Sequence, residues 1–281
     1  QALVLDEADR MLDMGFIPDV TRILNMLPQQ RQSLLFSATF SEEIKRLADT
    51  MLKSPVLIEV ARRNQVSETI AHRVHPVSEF AKRGLLIKLL KSSEIRQCLV
   101  FMRTKQGCSR LTRELQRAGI HADAIHGDKS QLDRIKALDA FKDGTTHALI
   151  ATDVAARGLD IDDLPYVINY ELPHTPEDYV HRIGRTGRAG KQGNAISLVS
   201  AREVGYLVDI EKLIKRPIEQ VEVAGFEPEP EYEYPPGNKR RRSSAPPVKA
   251  PVAQRPERPE RPAHEDRRPP RRDPMIAADG F

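Results

Sequence analysis

Between Arg73 and Val199 lie six apolar runs of four or five residues: Arg73–Val77, Cys98–Met102, Ala122–Ile125, Ala148–Ala151, Val167–Tyr170 and Ala195–Val199. Segments of helical periodicity separate them, among them Leu85–Leu90, Ser109–Ala118, Leu132–Phe141 and Pro176–Ile183. Runs that short and that apolar predict strands buried on both faces, and strands alternating with helices predict βαβ units in a parallel sheet. About 150 residues of such alternation, ending near Ile214, make a full doubly wound α/β domain. Within the Leu132–Phe141 helix, Leu132, Ile135, Leu138 and Phe141 are the expected buried face, with Gly144 as the stop signal.

A shorter round of the same alternation opens the chain. Leu3–Leu5, Ser33–Phe36 and Val56–Val60 are expected strands, and Ile17–Leu27 and Glu42–Leu52 expected helices, with Pro18 tolerated in a first turn. Residues 62–72 are polar and aperiodic and read as a linker. The predicted organisation is therefore an incomplete α/β domain at 1–61, a linker at 62–72, a full domain at 73–226 and a tail at 227–281.

Charge separates the tail from the body. Residues 239–281 hold 12 Lys+Arg and 6 Asp+Glu, a net of +6, whereas the other 238 residues hold 32 and 34, a net of −2. Thirteen of the 21 prolines lie from Pro228 onward, with few aliphatic residues beside them, so the tail is expected to be disordered. Cys98 and Cys108 lack metal-ligand spacing and read as buried thiols of a reducing compartment. No run approaches 18 apolar residues, which predicts no membrane-spanning helix and a cytoplasmic protein.

The chemistry-bearing residues fall where strands end. The first strand runs into Asp6-Glu7-Ala8-Asp9, followed by Arg10-Met11-Leu12-Asp13-Met14-Gly15-Phe16, and the second into Ser37-Ala38-Thr39. Ligands of parallel α/β sheets bind at this carboxyl edge. Acids in the first turn of a helix also simply complement its dipole, and small hydroxyls after a strand often cap the next helix. In the second domain the strand-end segments are Leu99–Thr104, His126-Gly127-Asp128 with Gln131 and Arg134, and Ala151–Asp160. The last is His181-Arg182-Ile183-Gly184-Arg185-Thr186-Gly187-Arg188, after a helix that Thr175 can cap and Pro176 can start.

In this order and at these spacings, the segments resemble motifs II, III, IV, V and VI of the DEAD-box ATP-dependent RNA helicases, over about residues 1–225. The resemblance implies tandem RecA-like parallel-sheet domains, the first incomplete, with ATP and Mg²⁺ as cofactors. It implies hydrolysis of the phosphoric anhydride of ATP, coupled to RNA binding and local duplex unwinding. Asp6 then binds Mg²⁺, Glu7 orients or deprotonates water, and Arg185 and Arg188 are arginine fingers. Asp160 reaches the ATP ribose. Asp9, Ser37, Thr39, Arg157, His181 and Arg182 couple the domains, His181 by meeting Asp9. Arg103, Thr104, His126, Gly127, Gln131, Arg134, Thr152 and Gly158 lie on RNA, which is held through its backbone and largely without regard to sequence.

Ala224–Pro228 and the basic tail look most like the bacterial RhlE-type branch, and the tail is a candidate contact for ribosomal or RNA-decay proteins. The phosphate-cradling pattern G-x-x-x-x-G-K-[ST] does not occur in these 281 residues. The expectation is an amino-terminally truncated helicase, starting at motif II and inactive as an ATPase by itself. The alternatives are a non-catalytic RNA-binding remnant acting through its second domain and tail, a protein-interaction module built on the tail, and a helicase acting on DNA.

Overall fold

Parallel strands need crossovers, and the chain supplies a helix for nearly every one. In the computed structural model, the described residues are 1–58, 69–92, 94–159, 161, 163–187, 191–233, 235 and 240–242. The opening lobe comprises β1 (Ala2–Leu5), α1 (Ala8–Asp13), α2 (Ile17–Met26), β2 (Gln32–Leu35) and α3 (Glu42–Met51). β1 and β2 pair in parallel, Leu5 opposite Leu35, and Leu5, Ala8, Val20, Ile44, Leu47 and Met51 form a small core beneath them. Ser41 starts α3 by accepting the Ile44 N–H at 3.3 Å.

The expected strand at Val56–Val60 is not formed over its described part, and Val56, Leu57 and Ile58 are exposed. A strand persists only where a neighbouring ladder takes up its N–H and C=O groups. Here β1 and β2 pair with each other, and among the described residues no third strand joins them. Val4, Leu34 and Phe36 are likewise exposed on this small sheet.

The second lobe is β3 (Ile70–Pro76), α4 (Lys82–Leu90), β4 (Cys98–Met102), α5 (Lys105–Arg117), β5 (Ala122–Ile125), α6 (Gln131–Lys142), β6 (Ala148–Thr152), α7 (Asp153–Ala156), β7 (Tyr166–Asn169), α8 (Pro176–Ile183), β8 (Gly193–Val199), a 3₁₀ turn (Ala201–Glu203), α9 (Val204–Ile214), β9 (Glu219–Glu222) and β10 (Arg240–Arg242). The strands form one parallel sheet in the order β10-β9-β3-β8-β7-β4-β6-β5. This is the doubly wound arrangement that the alternation predicts. β3 starts at Ile70, inside the expected linker, because Ile70 is buried and its strand pairs with β8 along all seven residues. Residues 62–68 of that linker lie outside the described residues.

Both cysteines are buried and free, and burial pushes each thiol up to about 12. No described helix is long and apolar enough to cross a membrane.

Three local expectations are corrected. The buried face of α6 is Ala137 and Phe141 with half-buried Leu138, whereas Leu132 and Ile135 are exposed. Steps of three residues drift around a helix, so Leu132 and Phe141, nine apart, point about 180° from each other. Thr175 does not cap the α8 backbone, since its hydroxyl donates instead to Asp178 Oδ2 at 2.7 Å.

Residues 227–233, expected to be disordered, pack on the domain. The Glu229 carboxylate accepts the N–H groups of Glu79 (2.6 Å) and Ala201 (3.2 Å), and buried Tyr232 donates to Gln220 Oε1 at 2.8 Å. Two backbone anchors and an aromatic ring offset the ordering entropy that the proline-rich composition alone does not. Residues 243–281 lie outside the described residues.

His72 carries a pH dependence. Its Nδ1 lies 2.8 Å from the Tyr179 hydroxyl, and burial, aided by the Arg216 charge, lowers its pKa to about 4. Protons then bind the unfolded chain more readily between about pH 6.5 and 4, so this contribution is intact above pH 6.5 and is lost as the pH falls. Urea melts of the chain should show on the order of 2–3 kcal/mol lost across that window. A His72→Gln variant that retained the whole loss would assign it elsewhere.

Candidate functional site

Each predicted functional segment leaves the carboxyl end of a strand except His181–Arg188, which ends and follows α8. In the first lobe β1 delivers Asp6, exposed, whose Oδ1 accepts the Glu7 N–H at 2.9 Å. Glu7 itself is left-handed at φ 51°, ψ 47°, an unusual state for a residue with a Cβ. Neighbouring hydrogen bonds fix this turn: Ala8 N–H donates to Phe36 O (3.0 Å) and Phe36 N–H to Leu5 O (2.8 Å). Asp9 accepts the N–H groups of Arg10 and Thr39, each at 3.0 Å, so the acidic turn and the Ser37–Thr39 turn are laced together. The Ser37 hydroxyl is buried without a hydrogen-bond partner.

In the second lobe the register sets Met102 opposite Thr152 and Ile125 opposite Ala151, which brings Arg103, Thr152 and His126 to one edge. Thr104 caps α5 by accepting the Gly107 N–H at 3.0 Å. Gly127, Gln131 and Gly158 are exposed there, and Gly158 has φ +65°. Arg134 Nη1 approaches Gln131 Oε1 at 3.5 Å. His126 does not reach outward: it is buried, its Nε2 lies 2.7 Å from Ser109 Oγ, and burial lowers its pKa. The ring completes the α5–β5 packing, so any RNA contact of this turn falls to its exposed neighbours.

Arg182 is also re-placed. Expected to couple the domains, it is buried inside the second lobe. Its Nε and Nη2 grip both oxygens of Asp153 (2.6 and 2.8 Å), and Nη1 donates to Asn169 Oδ1 (3.1 Å) and Glu171 O (2.7 Å). The guanidinium also lies 5.0 Å from the centre of the Phe101 ring. The last turn of α8 points it at the sheet edge, whereas Arg185, beyond the helix end, reaches Leu159 O at 3.2 Å.

A shallow cleft between the lobes is lined by Glu7 on one side and by Asp153, Arg157, His181, Arg182 and Arg185 on the other. Arg157 Nε is 3.8 Å from Glu7, and Arg157 Nη2 donates to Asp178 at 2.5 Å. Arg10 of the first lobe lies 3.9 Å from the same Asp178 oxygen. Burial opposes the charge on Asp178, but the Thr175 hydroxyl and the two arginines hold its carboxyl below the usual carboxylate range. Glu7–Arg157 and Arg10–Asp178 are thus cross-lobe ion pairs among the described residues, and His181 lines the same cleft. Asp160 and Arg188 lie outside the described residues.

The sequence reading missed Asp178, Asp153 and Glu171, whose carboxylate accepts the Arg103 N–H at 2.7 Å. Acids in a first helical turn look like dipole complements, and no local signal marks the arginines they meet.

A family model described as "DEAD/DEAH box helicase" matches residues 1–47, and one described as "Helicase conserved C-terminal domain" matches residues 81–190. The DEAD-box protein SrmB of E. coli, solved bound to the regulator of ribonuclease activity A, is 36% identical; the match covers 91% of that chain and 55% of this one, at a TM-score of 0.52. The chain belongs to the DEAD-box family. ATP-dependent RNA helicase CshA of Listeria monocytogenes is 46% identical over 216 residues, 77% of this chain and 42% of that protein. This DEAD-box chain spans slightly under half the length of the curated relatives it matches, which include proteins named DbpA and RhpA. Yeast Dbp5 bound to RNA and ADP BeF3 aligns at a TM-score of 0.70 with 34% identity, covering 79% of this chain and 59% of that one. A DEAD box protein from Methanococcus jannaschii aligns at 0.53 with 44% identity, covering 78% and 59%.

Breaking a buried pair leaves an uncompensated charge. Arg182→Ala should therefore lower the unfolding free energy of the second lobe by about 3–5 kcal/mol in urea melts. Asp153→Ala in that background should add little, and full additivity would show that the two do not act as a unit.

Proposed function

We propose that this chain is the motif II-to-VI part of an ATP-dependent RNA helicase, which couples ATP hydrolysis to RNA binding and local duplex unwinding. The observation that carries the reading is the single cleft shared by Glu7 and Arg185, with Arg157 between them. An acid that orients water and an arginine that stabilises transferring phosphoryl charge are the two sides of a hydrolytic site. That they meet only between lobes makes closure a condition of catalysis.

The alignments support a closed arrangement. The Dbp5 complex and the Methanococcus protein cover the same share of this chain, yet the less identical one superposes better. The better match is the protein solved with RNA and ADP BeF3, which favours lobes placed as in a ligand-bound state.

In this reading Asp6 holds Mg²⁺ through water. An exposed carboxylate at a strand end would suit this hard cation, whose charge would assist phosphoryl chemistry. ATP with Mg²⁺ supplies the phosphoryl group and its charge neutralisation. The chain's part is to place Glu7, Arg185 and Arg188 around it and Asp160 at the ribose. Asp9, Ser37, Thr39, Arg157 and His181 transmit closure. Arg103, Thr104, Gly127, Gln131, Arg134, Thr152 and Gly158 hold the RNA backbone.

A first domain ending near 61, a second running from β3 through the strap at 227–233, the cytoplasmic location, the RhlE-type branch and tail contacts with ribosomal or RNA-decay proteins belong to the same proposal. They are supported by composition and by the Ala224–Pro228 junction. A second reading is an RNA-binding protein without turnover, acting through the second lobe and the tail.

Binding of single-stranded RNA, followed by anisotropy between 50 and 200 mM salt, separates these outcomes from failure. Three or more phosphate contacts give a slope of about −2 or steeper for log K against log salt, whatever the base sequence. Arg103→Ala should make that slope shallower by about 0.7. Absent or salt-independent binding would overturn both readings. The chain as it stands should show no RNA-stimulated ATPase, and turnover abolished by Glu7→Gln would refute that expectation.

A further inference from the structure

Asp178 serves two arginines at once, one from each lobe. Its Oδ1 accepts Arg157 Nη2 at 2.5 Å and lies 3.9 Å from Arg10 Nη1, while its Oδ2 accepts the Thr175 hydroxyl at 2.7 Å. Arg157 then turns its Nε toward Glu7 at 3.8 Å. The charges alternate along a chain, Arg10, Asp178, Arg157, Glu7, which starts and ends in the first lobe and passes through the second. The side chains of Asp178 and Arg157 are 17% and 16% exposed and that of Arg10 is 24%, so solvent screens these pairs less than surface ones.

We propose that Asp178 is a positioning residue for hydrolysis: it ties the lobes together through Arg10 and sets the Arg157 guanidinium against Glu7. The proposal rests on the functional reading above for what Glu7 does, but not for the ion-pair chain itself. Two details support a relay over a simple surface pair. The described side-chain hydrogen bond of Arg157 goes to Asp178, whereas Glu7 is a longer 3.8 Å ion pair, so removing Asp178 releases the guanidinium from its place against Glu7. Thr175 spends its hydroxyl on Asp178 instead of capping the helix backbone, which fixes the carboxylate in place before any partner arrives. Asp178 thus stands ready in the second lobe, and Arg10 completes the set only on closure.

The test uses the full chain with donor and acceptor dyes at Arg22→Cys and Lys212→Cys, side chains 79% and 72% exposed in the two lobes. The native thiols, buried and with raised pKa, stay unlabelled. Asp178→Ala and Arg10→Ala should each shift the closed-to-open ratio toward open by about tenfold, and together by no more than either alone. Asp178→Asn, which keeps the Thr175 hydrogen bond but not the charge, should fall between. Glu7→Ala should open the wild-type chain and add nothing once Asp178 is gone.

A purely structural role of Asp178 in α8 would make Asp178→Ala lower the melting temperature of the second lobe while Arg10→Ala left transfer efficiency unchanged. That result overturns the proposal, as do unchanged efficiency in both variants or additive effects. If closure responds as stated but RNA binding is absent, the ion-pair chain stands and the helicase reading falls.

Discussion

A buried guanidinium at the carboxyl edge of the large sheet holds the second half of this molecule in working order. Arg182 uses four of its five N–H donors, two on the Asp153 carboxylate, one on Asn169 and one on the Glu171 carbonyl. Desolvating such a cation is tolerable only when its donors are met, and here they are met by the ends of β6 and β7. The same bonds fix three things at this edge: where the chain leaves β6, where the loop after β7 turns, and how α8 sits against both. Arg185 emerges one turn later from a helix end that Arg182 has already pinned.

A second buried pair grips the loop after β7 from the other side. Lys82 bonds Glu203 and donates to the Tyr170 carbonyl at 3.2 Å, while Glu203 accepts the Leu172 N–H at 3.0 Å. Residues 170–172 are therefore held by both buried clusters, and Glu171 between them reaches across to the Arg103 N–H. A backbone clamped at consecutive residues presents its side chain with little freedom, which is how a sheet edge becomes a defined surface for an extended anion. The two clusters contribute more to the geometry of the site than to net stability, since buried ion pairs seldom exceed what apolar side chains in their place would give.

Much of this edge was legible in the sequence. Strand ends followed by Asp6–Asp9, Arg103-Thr104, His126-Gly127 and Thr152–Gly158 are where a parallel sheet must place its ligands, and the structure puts each of them there. What stayed hidden is pairwise. Lys82 and Glu203 lie 121 positions apart, and nothing in the local sequence of either marks the pair they form. Arg182, expected to couple the domains, turns inward instead, because spacing along a helix says nothing about which side chain abuts a carboxylate. The α6 face failed for a simpler reason, a three-residue step taken for a helical period. The strap at 227–233 escaped because composition averages over a segment and cannot see that Glu229 and Tyr232 each have a site waiting.

The left-handed Glu7 links these observations to the cleft. A non-glycine residue at φ 51° is held against a cost of order 1–2 kcal/mol, and such states persist only where the surroundings over-determine them. Asp6 Oδ1 on the Glu7 N–H, and Ala8 N–H on the Phe36 carbonyl, supply that constraint from within the first lobe. The turn therefore aims the Glu7 carboxylate across the cleft before the second lobe arrives. An acid fixed in advance on one side, and Arg157 fixed by Asp178 on the other, need only rigid-body approach to meet. The geometry of the cleft then depends on one variable, the distance between lobes, which is what a ligand spanning both of them can control.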